Sequence, residues 1–408
     1  MAKVVRRHWQ SEASAGLPRR DRQSCQYEAY VPDPLMGRAI ALEGAVAADV
    51  ANAEAAITRL NREARTLVDT EALARLLLRA EAVASSKIEG LEIGPRRLLE
   101  AEAMFYAVRS VRSDEELTLE QLLEIHRRLL AGSRLEESGG KIRSAQNWIG
   151  GSSYKPCSAV FVPPPPELVH DLLLDLCRFC NDDSLPAVVQ AALAHAQFET
   201  IHPFIDGNGR TGRALIHLTL RRRGLAPRVL PPVSLVLATW ATDYVAALEG
   251  TRYRGQSASS AAHEGLNRWV GLFATACRRA VDDADEFDAR TRGLEAAWRE
   301  RLGAVRANSA TDLRQHLGFA QPGDRLVRSS QTARDEVGGA SDSEDWGAGQ
   351  RVQQQVGGRV GAHRAETLPP GCLESSHTRI ELSCIVDRSP TGGGKQPDPA
   401  VQPLMSRR

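Results

Sequence analysis

Apolar residues return every three or four positions through most of the first three hundred residues of the chain. The clearest case is the segment "TEALARLLLRAEAVASSKIEG", which starts at Thr70. Such spacing places apolar side chains on one face of an α-helix. The apolar positions that share this face are Leu73, Leu76, Leu77, Ala80 and Ala84.

The segment "EELTLEQLLEIHRRLLAG" carries the start and stop signals of another helix. Thr118 suits the N-cap, Gln121 stands three residues later as in a capping box, and Gly132 follows the last apolar residue. Helical periodicity returns in "ELVHDLLLDLCRFCN", "PAVVQAALAHAQFETI" and "RALIHLTLRRRG", and continues to about residue 305. The pattern therefore predicts an all-α, mainly helical fold.

Three stretches depart from helical periodicity. Residues 1–37 are mixed in character and predict a loop segment. Within 147–163, two β-prone pieces, "NWI" and "AVFV", flank a tip rich in Gly, Ser, Lys and Pro, which predicts a small β-hairpin. From Gly318 onward the chain is poor in aromatic residues and lacks any period, so it has little apolar surface to bury. This composition predicts a disordered tail and suggests the hypothesis of a frameshifted reading frame.

These patterns divide the chain into five parts. The predicted parts are an N-terminal loop segment over 1–37, an N-terminal helical domain over 38–112, a core domain over 113–220, helices that complete this domain over 221–307, and a low-complexity tail over 308–408.

Charge and cysteine content exclude several classes of protein. The chain has 52 Lys and Arg against 51 Asp and Glu, a net charge of +1, which argues against a role dominated by DNA or a membrane surface. No apolar run approaches the roughly 20 residues that span a bilayer, so we expect a cytoplasmic protein. The seven cysteines are odd in number and scattered, which does not indicate a disulfide framework. Cys177 and Cys180 lie in a leucine-rich stretch and are interpreted as helix residues.

The stretch "HPFIDGNGRTGR", residues 202–213, concentrates residue types suited to phosphate chemistry. Gly207 and Gly209 allow a tight turn into a helix whose free N–H groups form an anion nest. Asn208 adds a side-chain donor or caps the turn. Arg210 and Arg213 lie three residues apart, so both guanidinium groups can reach one polyanion. The stretch therefore predicts a site for several adjacent phosphates.

Two further residues of this stretch suggest a reaction. Asp206 stands directly before the nest, where a carboxylate suits phosphates only if a cation such as Mg²⁺ lies between them. His202 is the side chain of the stretch that can act as a general base near neutral pH, and it can take a proton from an attacking hydroxyl. We therefore interpret His202 as the catalytic base and Asp206 as the metal ligand.

The stretch "HPFIDGNGRTGR" matches the HPFx(D/E)GNGRxxR signature of the Fic family at every fixed position. The resemblance extends loosely over residues 35 to 300. It implies a helical domain that transfers AMP from ATP to a protein hydroxyl, with the roles just described for His202 and Asp206, and with phosphates held by Gly207 to Gly209 and the two arginines. It also implies that the hairpin, residues 147–163, is a flap that holds a segment of a target protein as an added strand. Tyr244 resembles an aromatic residue that the family places near adenine.

A second family element, the inhibitory motif (S/T)xxxE(G/N), has two matches. "SSKIEG" supplies Ser85, Glu89 and Gly90, and it ends a long amphipathic helix upstream of the core, where the family's commonest autoinhibited class keeps it. "SAAHEG" supplies Glu264, in what we interpret as a Gly/Ser-rich connector. Position therefore favours Glu89 as the inhibitory residue, facing Arg213, while the alternative is that Glu89 occupies a solvated helix end.

The resemblance leaves several functions open. AMP transfer is the leading hypothesis, and relatives with the same fold transfer a phosphoryl group or remove AMP. An alternative of another class is a regulator that uses the domain as a nucleotide sensor and binds a protein or DNA partner. The target protein, the modified hydroxyl and homodimer formation are not specified by the sequence.

Overall fold

The computed structural model describes residues 1–10, 21–64, 71–91 and 97–302. The described residues form ten α-helices and one two-stranded antiparallel sheet, in agreement with the predicted mainly helical fold. The strands are β1 (Lys3–Trp9) and β2 (Cys25–Val31). The helices are α1 (Gly44–Glu63), α2 (Glu71–Ile88), α3 (Arg97–Ser110), α4 (Leu119–Leu130), α5 (Pro166–Cys180), α6 (Ala187–Ile201), α7 (Asn208–Arg222), α8 (Val233–Thr239), α9 (Ala241–Gly250) and α10 (Ser260–Leu302).

Helix α6 is the centre of the hydrophobic core. All of its residues except Glu199 are buried, and a helix that is buried on all sides is stable only when other elements enclose it. Helices α5, α7 and α10 pack around it, and α10 also packs along α1. Trp269 of α10 is fully buried and donates its indole N–H to the carbonyl of Ala192, at 2.8 Å. The end of this rigid helix carries the candidate site.

The predicted start of α4 is confirmed. The backbone N–H of Gln121 donates to Thr118 Oγ1 at 3.2 Å, and the backbone N–H of Thr118 donates to Gln121 Oε1 at 2.9 Å. This reciprocal pair is a capping box. Cys177 and Cys180 are free, buried residues of α5, as interpreted from the sequence.

The prediction of a loop over residues 1–37 is wrong, because this segment contains the two strands. They pair in antiparallel register from Lys3 opposite Val31 to Trp9 opposite Cys25. Most residues of β1 are exposed or only partly buried, so its sequence shows no alternation of apolar and polar residues. The pairing is decided by a partner strand farther along the chain, which the local pattern does not indicate.

The predicted hairpin over residues 147–163, called the flap below, is closed by one antiparallel bridge. The backbone N–H of Ile149 donates to the carbonyl of Phe161 at 2.8 Å, and the reverse bond is 3.2 Å. A short 3-10 turn, Pro156–Ser158, lies between these two residues. Gly151 has a φ of 75°, and a Cβ there would lie 2.2 Å from the carbonyl oxygen of Ser158. The flap is therefore a small hairpin with a tight, glycine-dependent turn.

The N-terminal sheet packs against the flap. The backbone N–H of Tyr30 donates to the carbonyl of Val162 at 2.9 Å. The rings of Trp9 and Trp148 meet edge to face, with centroids 5.4 Å apart. A disulfide joins Cys25 of β2 to Cys157 of the flap, with Cα atoms 6.2 Å apart. The absence of a disulfide framework, as inferred from the sequence, thus needs the correction that one disulfide ties the sheet to the flap.

The predicted tail, residues 308–408, lies outside the described residues. None of the described helices has both the length and the apolar character that crossing a membrane requires.

Candidate active site

The stretch 202–213 forms the turn between α6 and α7. His202 follows the last residue of α6 and adopts the left-handed conformation, with φ 49° and ψ 61°. Gly207, directly before the first residue of α7, has a φ of 74°. A Cβ at Gly207 would lie 3.0 Å from Leu129 Cδ2, so both its conformation and its surroundings favour glycine. The predicted turn into a helix N-terminus is present.

Two residues that the sequence analysis did not identify hold His202 in place. Arg143 donates from Nε to the carbonyl oxygen of His202 at 2.9 Å, and Asn147 donates from Nδ2 to the same oxygen at 3.1 Å. Both side chains are buried. Nothing in their sequence context indicates these contacts, since they lie 55 to 59 residues before His202. They fix the backbone from which the imidazole projects.

The imidazole of His202 is buried, and burial lowers its pKa to about 3, with further lowering by the charges of Arg143 and Arg252. A histidine with this pKa is neutral near pH 7, and the neutral imidazole is the form that accepts a proton. Negative phosphates brought next to the ring would raise its pKa again. The environment therefore suits a base that becomes stronger when an anionic ligand binds.

His126 of α4 supports the turn from the other side and was also missed. Its ring stacks on Phe204, with centroids 3.6 Å apart and planes 3° from parallel. The backbone N–H of Gly140 donates to His126 Nδ1 at 3.0 Å, so Nε2 carries the proton and donates to the carbonyl of Asp206, also at 3.0 Å. Burial lowers the pKa of His126 to about 4, which keeps this neutral form. His126 thus positions the residue predicted to bind a metal.

Asn208 closes the turn rather than facing the nest with its side chain. Its Oδ1 accepts from the backbone N–H of Phe204, and its Nδ2 donates to the carbonyl of Phe204, both at 2.8 Å. Of the two roles expected from the sequence, a side-chain donor or a cap of the turn, the structure places Asn208 in the second. Its contribution to an anion nest is therefore its backbone N–H at the start of α7.

The carboxylate of Asp206 lies at the open side of the turn. Its Oδ1 accepts from the backbone N–H of Gly207 at 2.8 Å, and its Oδ2 lies 3.5 Å from Arg210 Nη2. The side chain is 40% exposed, so it is accessible to a ligand. Among the described residues, no cluster of three or more His, Cys, Asp or Glu side chains forms a complete metal site. A Mg²⁺ ion at Asp206 would therefore take other ligands from phosphate oxygens and water, which is common for this ion.

Glu89 forms ion pairs with both arginines of the motif. Its Oε1 lies 2.9 Å from Arg213 Nη2, and its Oε2 lies 2.9 Å from Arg210 Nε. Ser85 adds two bonds, since Arg213 donates from Nε to its hydroxyl and from Nη2 to its carbonyl, both at 2.7 Å. The side chains of Arg210 and Arg213 are only 5% and 2% exposed. The sequence predicted the ion pair between Glu89 and Arg213. The structure adds the ion pair between Glu89 and Arg210.

Glycines allow this close approach. A Cβ at Gly209 would lie 2.4 Å from Glu89 Oε1 and 2.8 Å from Arg213 Nη1. Gly90 has a φ of 70° directly after Glu89 and reverses the chain there. Both positions therefore need glycine for the arginine and carboxylate contacts to form.

A second polar contact joins α2 to α7, deeper in the core. Glu81 of α2 lies about two helical turns before Glu89, and its Oε1 lies 2.6 Å from Nε2 of His217 on α7. Its Oε2 accepts the backbone N–H of Ser234 at 2.7 Å. Glu81 and His217 are both fully buried. Helices α2 and α7 are thus joined by a series of polar contacts, and the local sequence carries no signal for the contact between Glu81 and His217.

The alternative inhibitory residue, Glu264, lies on the exposed surface of α10. The expectation that its segment is a connector is wrong, because Ser260 begins the longest helix of the described chain. A Cβ at Gly265 would lie 1.9 Å from the carbonyl oxygen of Gly250, so this glycine allows close packing of α9 against α10. The geometry therefore associates the arginines with Glu89 and not with Glu264.

Tyr244 is buried in the core, beside His195 and Trp269. Its side chain is 3% exposed, and its hydroxyl lies 2.8 Å from Nε2 of His195. Its expected position near adenine stays a prediction.

Two family profiles match the chain over this region. The profile described as "Fic/DOC family" matches residues 116–220, and the one described as "Fic/DOC family N-terminal" matches residues 47–118. Together they cover most of α1 to α7, with the turn at residues 202–213, both arginines and Glu89, which follows α2.

Curated relatives also match a part of the chain. "Protein adenylyltransferase fic-1" of Caenorhabditis elegans is 30% identical over 177 residues, which is 43% of this chain and 33% of that protein. "Protein adenylyltransferase Fic" of Drosophila grimshawi is 41% identical over 135 residues, which is 32% of this chain and 25% of that protein. The matches thus span a third or less of these relatives. A crystal structure of a Fic family protein from Desulfovibrio desulfuricans G20 is 25% identical, covers 72% of this chain and 91% of its own, and superposes with a TM-score of 0.49.

Proposed function

Since residues 47–220 of this chain belong to the Fic/DOC family, we propose that the protein is an ATP-dependent adenylyltransferase that transfers AMP to a hydroxyl group of a target protein. The observation that carries the proposal is the turn at residues 202–213, which combines a neutral buried His202 with a glycine-containing helix N-terminus and two buried arginines. The activity in the names of the curated relatives agrees with this chemistry.

The phosphates of ATP are proposed to bind at the start of α7. The backbone N–H groups of residues 208 and 209 and the positive end of the helix dipole favour an anion there, while the N–H of Gly207 donates to Asp206. Arg210 and Arg213 lie on the first turns of the same helix, within reach of the outer phosphates. Asp206 would hold Mg²⁺, which supplies positive charge between the carboxylate and the phosphate oxygens.

His202 is proposed to act as the general base. The target hydroxyl forms a bond from its oxygen to the α-phosphorus, the bond to the pyrophosphate oxygen breaks, and the hydroxyl proton passes to His202. Arg143 and Asn147 fix the backbone of His202, so the imidazole needs little reorganisation when the substrates bind. General base catalysis by a positioned side chain contributes about 10²- to 10⁴-fold in rate.

The target segment is proposed to pair with the outer edge of the flap, at residues 148–151. Phe161 bonds to Ile149, and the carbonyl of the next residue, Val162, bonds to Tyr30 of β2. Successive residues of a strand point their backbone groups to opposite sides, so the 161–162 stretch lies between Ile149 and β2. An added strand would therefore bind beside residues 148–151. Asn147, at the base of this edge, contacts the backbone of His202, which brings the target close to the base.

Glu89 is proposed to inhibit the enzyme. Its carboxylate occupies the guanidinium groups of Arg210 and Arg213, which the outer phosphates of ATP would otherwise contact. A productive pose of ATP requires the carboxylate to withdraw.

The test compares two labels on ATP. The full-length Glu89→Gly protein is incubated with MgATP labelled at the α- or the γ-phosphate, and protein-bound label is measured. We expect the α-label to become covalently bound and the γ-label to be released with pyrophosphate, and the same protein carrying His202→Ala to incorporate neither. Incorporation of the γ-label would indicate phosphoryl transfer instead. Binding of MgATP without transfer of either label would indicate a nucleotide sensor, the alternative of another class.

A further inference from the structure

One end of the N-terminal sheet holds the flap at two points. Trp9 of β1 and Cys25 of β2 are the last paired residues of the two strands, and the side chains of such a pair lie on the same face of a sheet. The ring of Trp9 meets that of Trp148, with centroids 5.4 Å apart. Cys25 forms the disulfide with Cys157, which lies in the turn of the flap. The same pair of residues therefore contacts the first strand of the flap and its turn.

The disulfide is the covalent attachment of this turn to the sheet. Beside it, the hydroxyl of Ser152 donates to Asp21 Oδ1 at 2.9 Å. The turn is open to solvent at Tyr154, whose side chain is 45% exposed. A hydrogen bond at such an exposed site opens readily, whereas a covalent bond does not. The order of the turn therefore depends on the disulfide.

The base of the flap is held by other contacts. Asn147 donates from Nδ2 to the carbonyl oxygens of His202 and Phe204, at 3.1 and 3.0 Å. The carbonyl of Val162 accepts from the backbone N–H of Tyr30 at 2.9 Å. Opening of the disulfide should therefore loosen the turn and leave the backbone of His202 in place.

The two bonded cysteines differ from the other three cysteines of the described residues. Cys25 and Cys157 are partly exposed, so a thiol in solution can reach their sulfur atoms. The other three are free and buried, namely Cys177, Cys180 and Cys277. Burial raises the pKa of each of these thiols, that of Cys177 to about 11, so they stay protonated and exchange poorly with disulfides. Thiol–disulfide exchange within the described residues is therefore directed to the Cys25–Cys157 bond.

We propose that the Cys25–Cys157 disulfide is a redox switch that controls how firmly the flap binds its target segment. When the bond is formed, the flap presents a fixed edge at residues 148–151. When the bond is reduced, the edge loosens and the target segment binds more weakly. This inference rests on the proposed function and adds a means of regulation to its target-binding edge.

A short path connects the disulfide to this edge. A Cβ at Gly151 would lie 2.2 Å from the carbonyl oxygen of Ser158, the residue after Cys157. The backbone N–H of Ser152 also donates to Ser158 Oγ at 3.0 Å. A displacement of Cys157 is therefore transmitted to the end of the edge. A preformed edge binds a strand more tightly than a loose one, because less conformational freedom is lost on binding.

The co-reactant of the switch is a dithiol. One thiolate of the dithiol attacks a sulfur of the disulfide, the bond between the two cysteines breaks, and a mixed disulfide forms. The second thiol of the reductant then attacks the mixed disulfide and releases the remaining cysteine. The dithiol ends as a disulfide, and Cys25 and Cys157 end as two thiols. Two electrons and two protons thus pass from the reductant to the protein.

The order of the flap is tested first, by hydrogen exchange of the full-length protein with and without dithiothreitol. Cys372→Ser and Cys384→Ser are included, because these two cysteines lie outside the described residues and would add thiols of their own. A peptide map without reductant should show Cys25 linked to Cys157. We expect reduction to accelerate exchange within residues 147–163 at least about tenfold and to leave α6 unchanged.

Three variants control for the identity of the bond. Cys157→Ser removes it, so the flap of this variant should exchange fast with or without dithiothreitol. Cys25→Ser removes it from the side of the sheet and should behave in the same way, which keeps the test valid if one variant folds poorly. Cys177→Ala is the matched control, since it replaces a cysteine outside the disulfide and should respond to reduction like the parent. Melting temperatures establish that each variant is folded.

The effect on function is measured after Glu89→Gly is added to the same protein. Self-adenylylation is followed with α-labelled ATP, and the binding of MgATP is followed by calorimetric titration. We expect reduction to lower AMP incorporation roughly three- to tenfold, the effect of ordering one or two more side chains on binding. The affinity for MgATP should not change, because the phosphate site at the start of α7 is held separately. Adding Cys157→Ser should remove the response to dithiothreitol.

The outcomes separate the inference from the function on which it rests. Absence of the linked peptide, or equal exchange of the flap in both redox states, overturns the switch. Faster exchange with unchanged AMP incorporation overturns its control of target binding, and a fall in MgATP affinity on reduction would place its effect at the nucleotide site instead. If the Glu89→Gly protein incorporates no AMP in either state, the proposed function fails, while hydrogen exchange still decides whether the disulfide orders the flap.

Discussion

His202 is held in a backbone conformation that most residues avoid. Its φ of 49° lies in the left-handed region, where a side chain larger than that of glycine is unfavourable. Arg143 and Asn147 bind its carbonyl oxygen and offset this cost. Strained residues persist where the surroundings determine them, and they are frequent at functional sites. At the scale of single residues, the position of His202, the proposed base, therefore depends on side chains from the flap and the segment before it.

Replacing His202 or Asp206 should separate catalysis from binding. His202→Ala removes a proton acceptor, so we expect transfer to be lost while the affinity for MgATP is nearly unchanged. Asp206→Ala removes the proposed Mg²⁺ ligand, so the affinity for MgATP should fall. Calorimetric titration with MgATP, in parallel with incorporation of α-labelled AMP, measures both effects. Two variants with the same affinity for MgATP would contradict the assigned roles.

At the scale of secondary-structure elements, α2 is joined to α7 by polar contacts spaced about one turn apart. Glu81, Ser85 and Glu89 follow each other at intervals of four residues, so they lie on the same face of α2 and the turn that ends it. Glu81 contacts His217 of α7, and Ser85 contacts Arg213. Glu89 contacts both Arg210 and Arg213. Because the contacts at Glu81 and Ser85 are buried, they determine how far along α7 the end of α2 reaches. The position of Glu89 next to the arginines therefore depends on how the whole of α2 packs against α7.

Removing Glu89 should activate the enzyme. A hydrogen bond to a charged group is worth about 1.5–3 kcal/mol, and because Glu89 is partly exposed we take this range for its contacts with both arginines together, which corresponds to one to two decades in rate. We expect Glu89→Gly to increase self-adenylylation by this factor, measured as α-labelled AMP incorporation. The matched control is Glu264→Gly, which changes an exposed glutamate of the second motif match and should have little effect. Arg213→Ala should be inactive whether or not it is combined with Glu89→Gly, because the arginine itself is lost.

A different result would relocate the inhibitory contact. If Glu89→Gly is no faster than the wild-type protein, the ion pairs do not limit the reaction. If Glu264→Gly is the faster variant, the inhibitory residue lies on α10.

At the scale of the whole molecule, the core encloses several ionisable groups in their neutral form. Burial lowers the pKa of His126 to about 4, and those of His195 and His202 to about 3, from 6.5. Burial raises the pKa of Glu199 from 4.5 to about 7. Each of these shifts links protonation to the stability of the described fold.

The melting temperature should fall as the pH is lowered from about 7 to about 5. The unfolded chain protonates its histidines below pH 6.5, whereas the three buried imidazoles stay neutral until about pH 3 to 4. The unfolded state thus binds more protons in this window, so acid favours unfolding. Glu199 acts in the opposite sense between pH 7 and 4.5, but it is one group against three. Scanning calorimetry at several pH values measures the trend.

The control for this trend is His170→Asn. His170 is 60% exposed, so its replacement should leave the pH dependence unchanged. A melting temperature that stays constant or rises as the solution is acidified over this range would contradict the prediction.

The sequence by itself determined the helices and the local turn of the candidate site. The residues of the turn are neighbours in the chain, within the stretch 202–213. The short covalent connections and the backbone conformations that glycine allows therefore restrict where their side chains can lie. Helical periodicity likewise depends on neighbours three and four residues away. The capping box at Thr118 also involves residues only three positions apart. These features were predicted correctly because their causes are close together in the chain.

Only the tertiary structure decided which distant residues meet. Arg143 reaches His202 across 59 positions, Arg213 reaches Ser85 across 128, and the two strands of the N-terminal sheet pair without a local signal. Such contacts follow from the packing of apolar faces around α6, and a hydrophobic pattern specifies that a face is buried without specifying its partner. The same reason explains Tyr244, whose helical spacing is compatible with a core position or an adenine contact, and whose burial was set by the packing of α9 against the core.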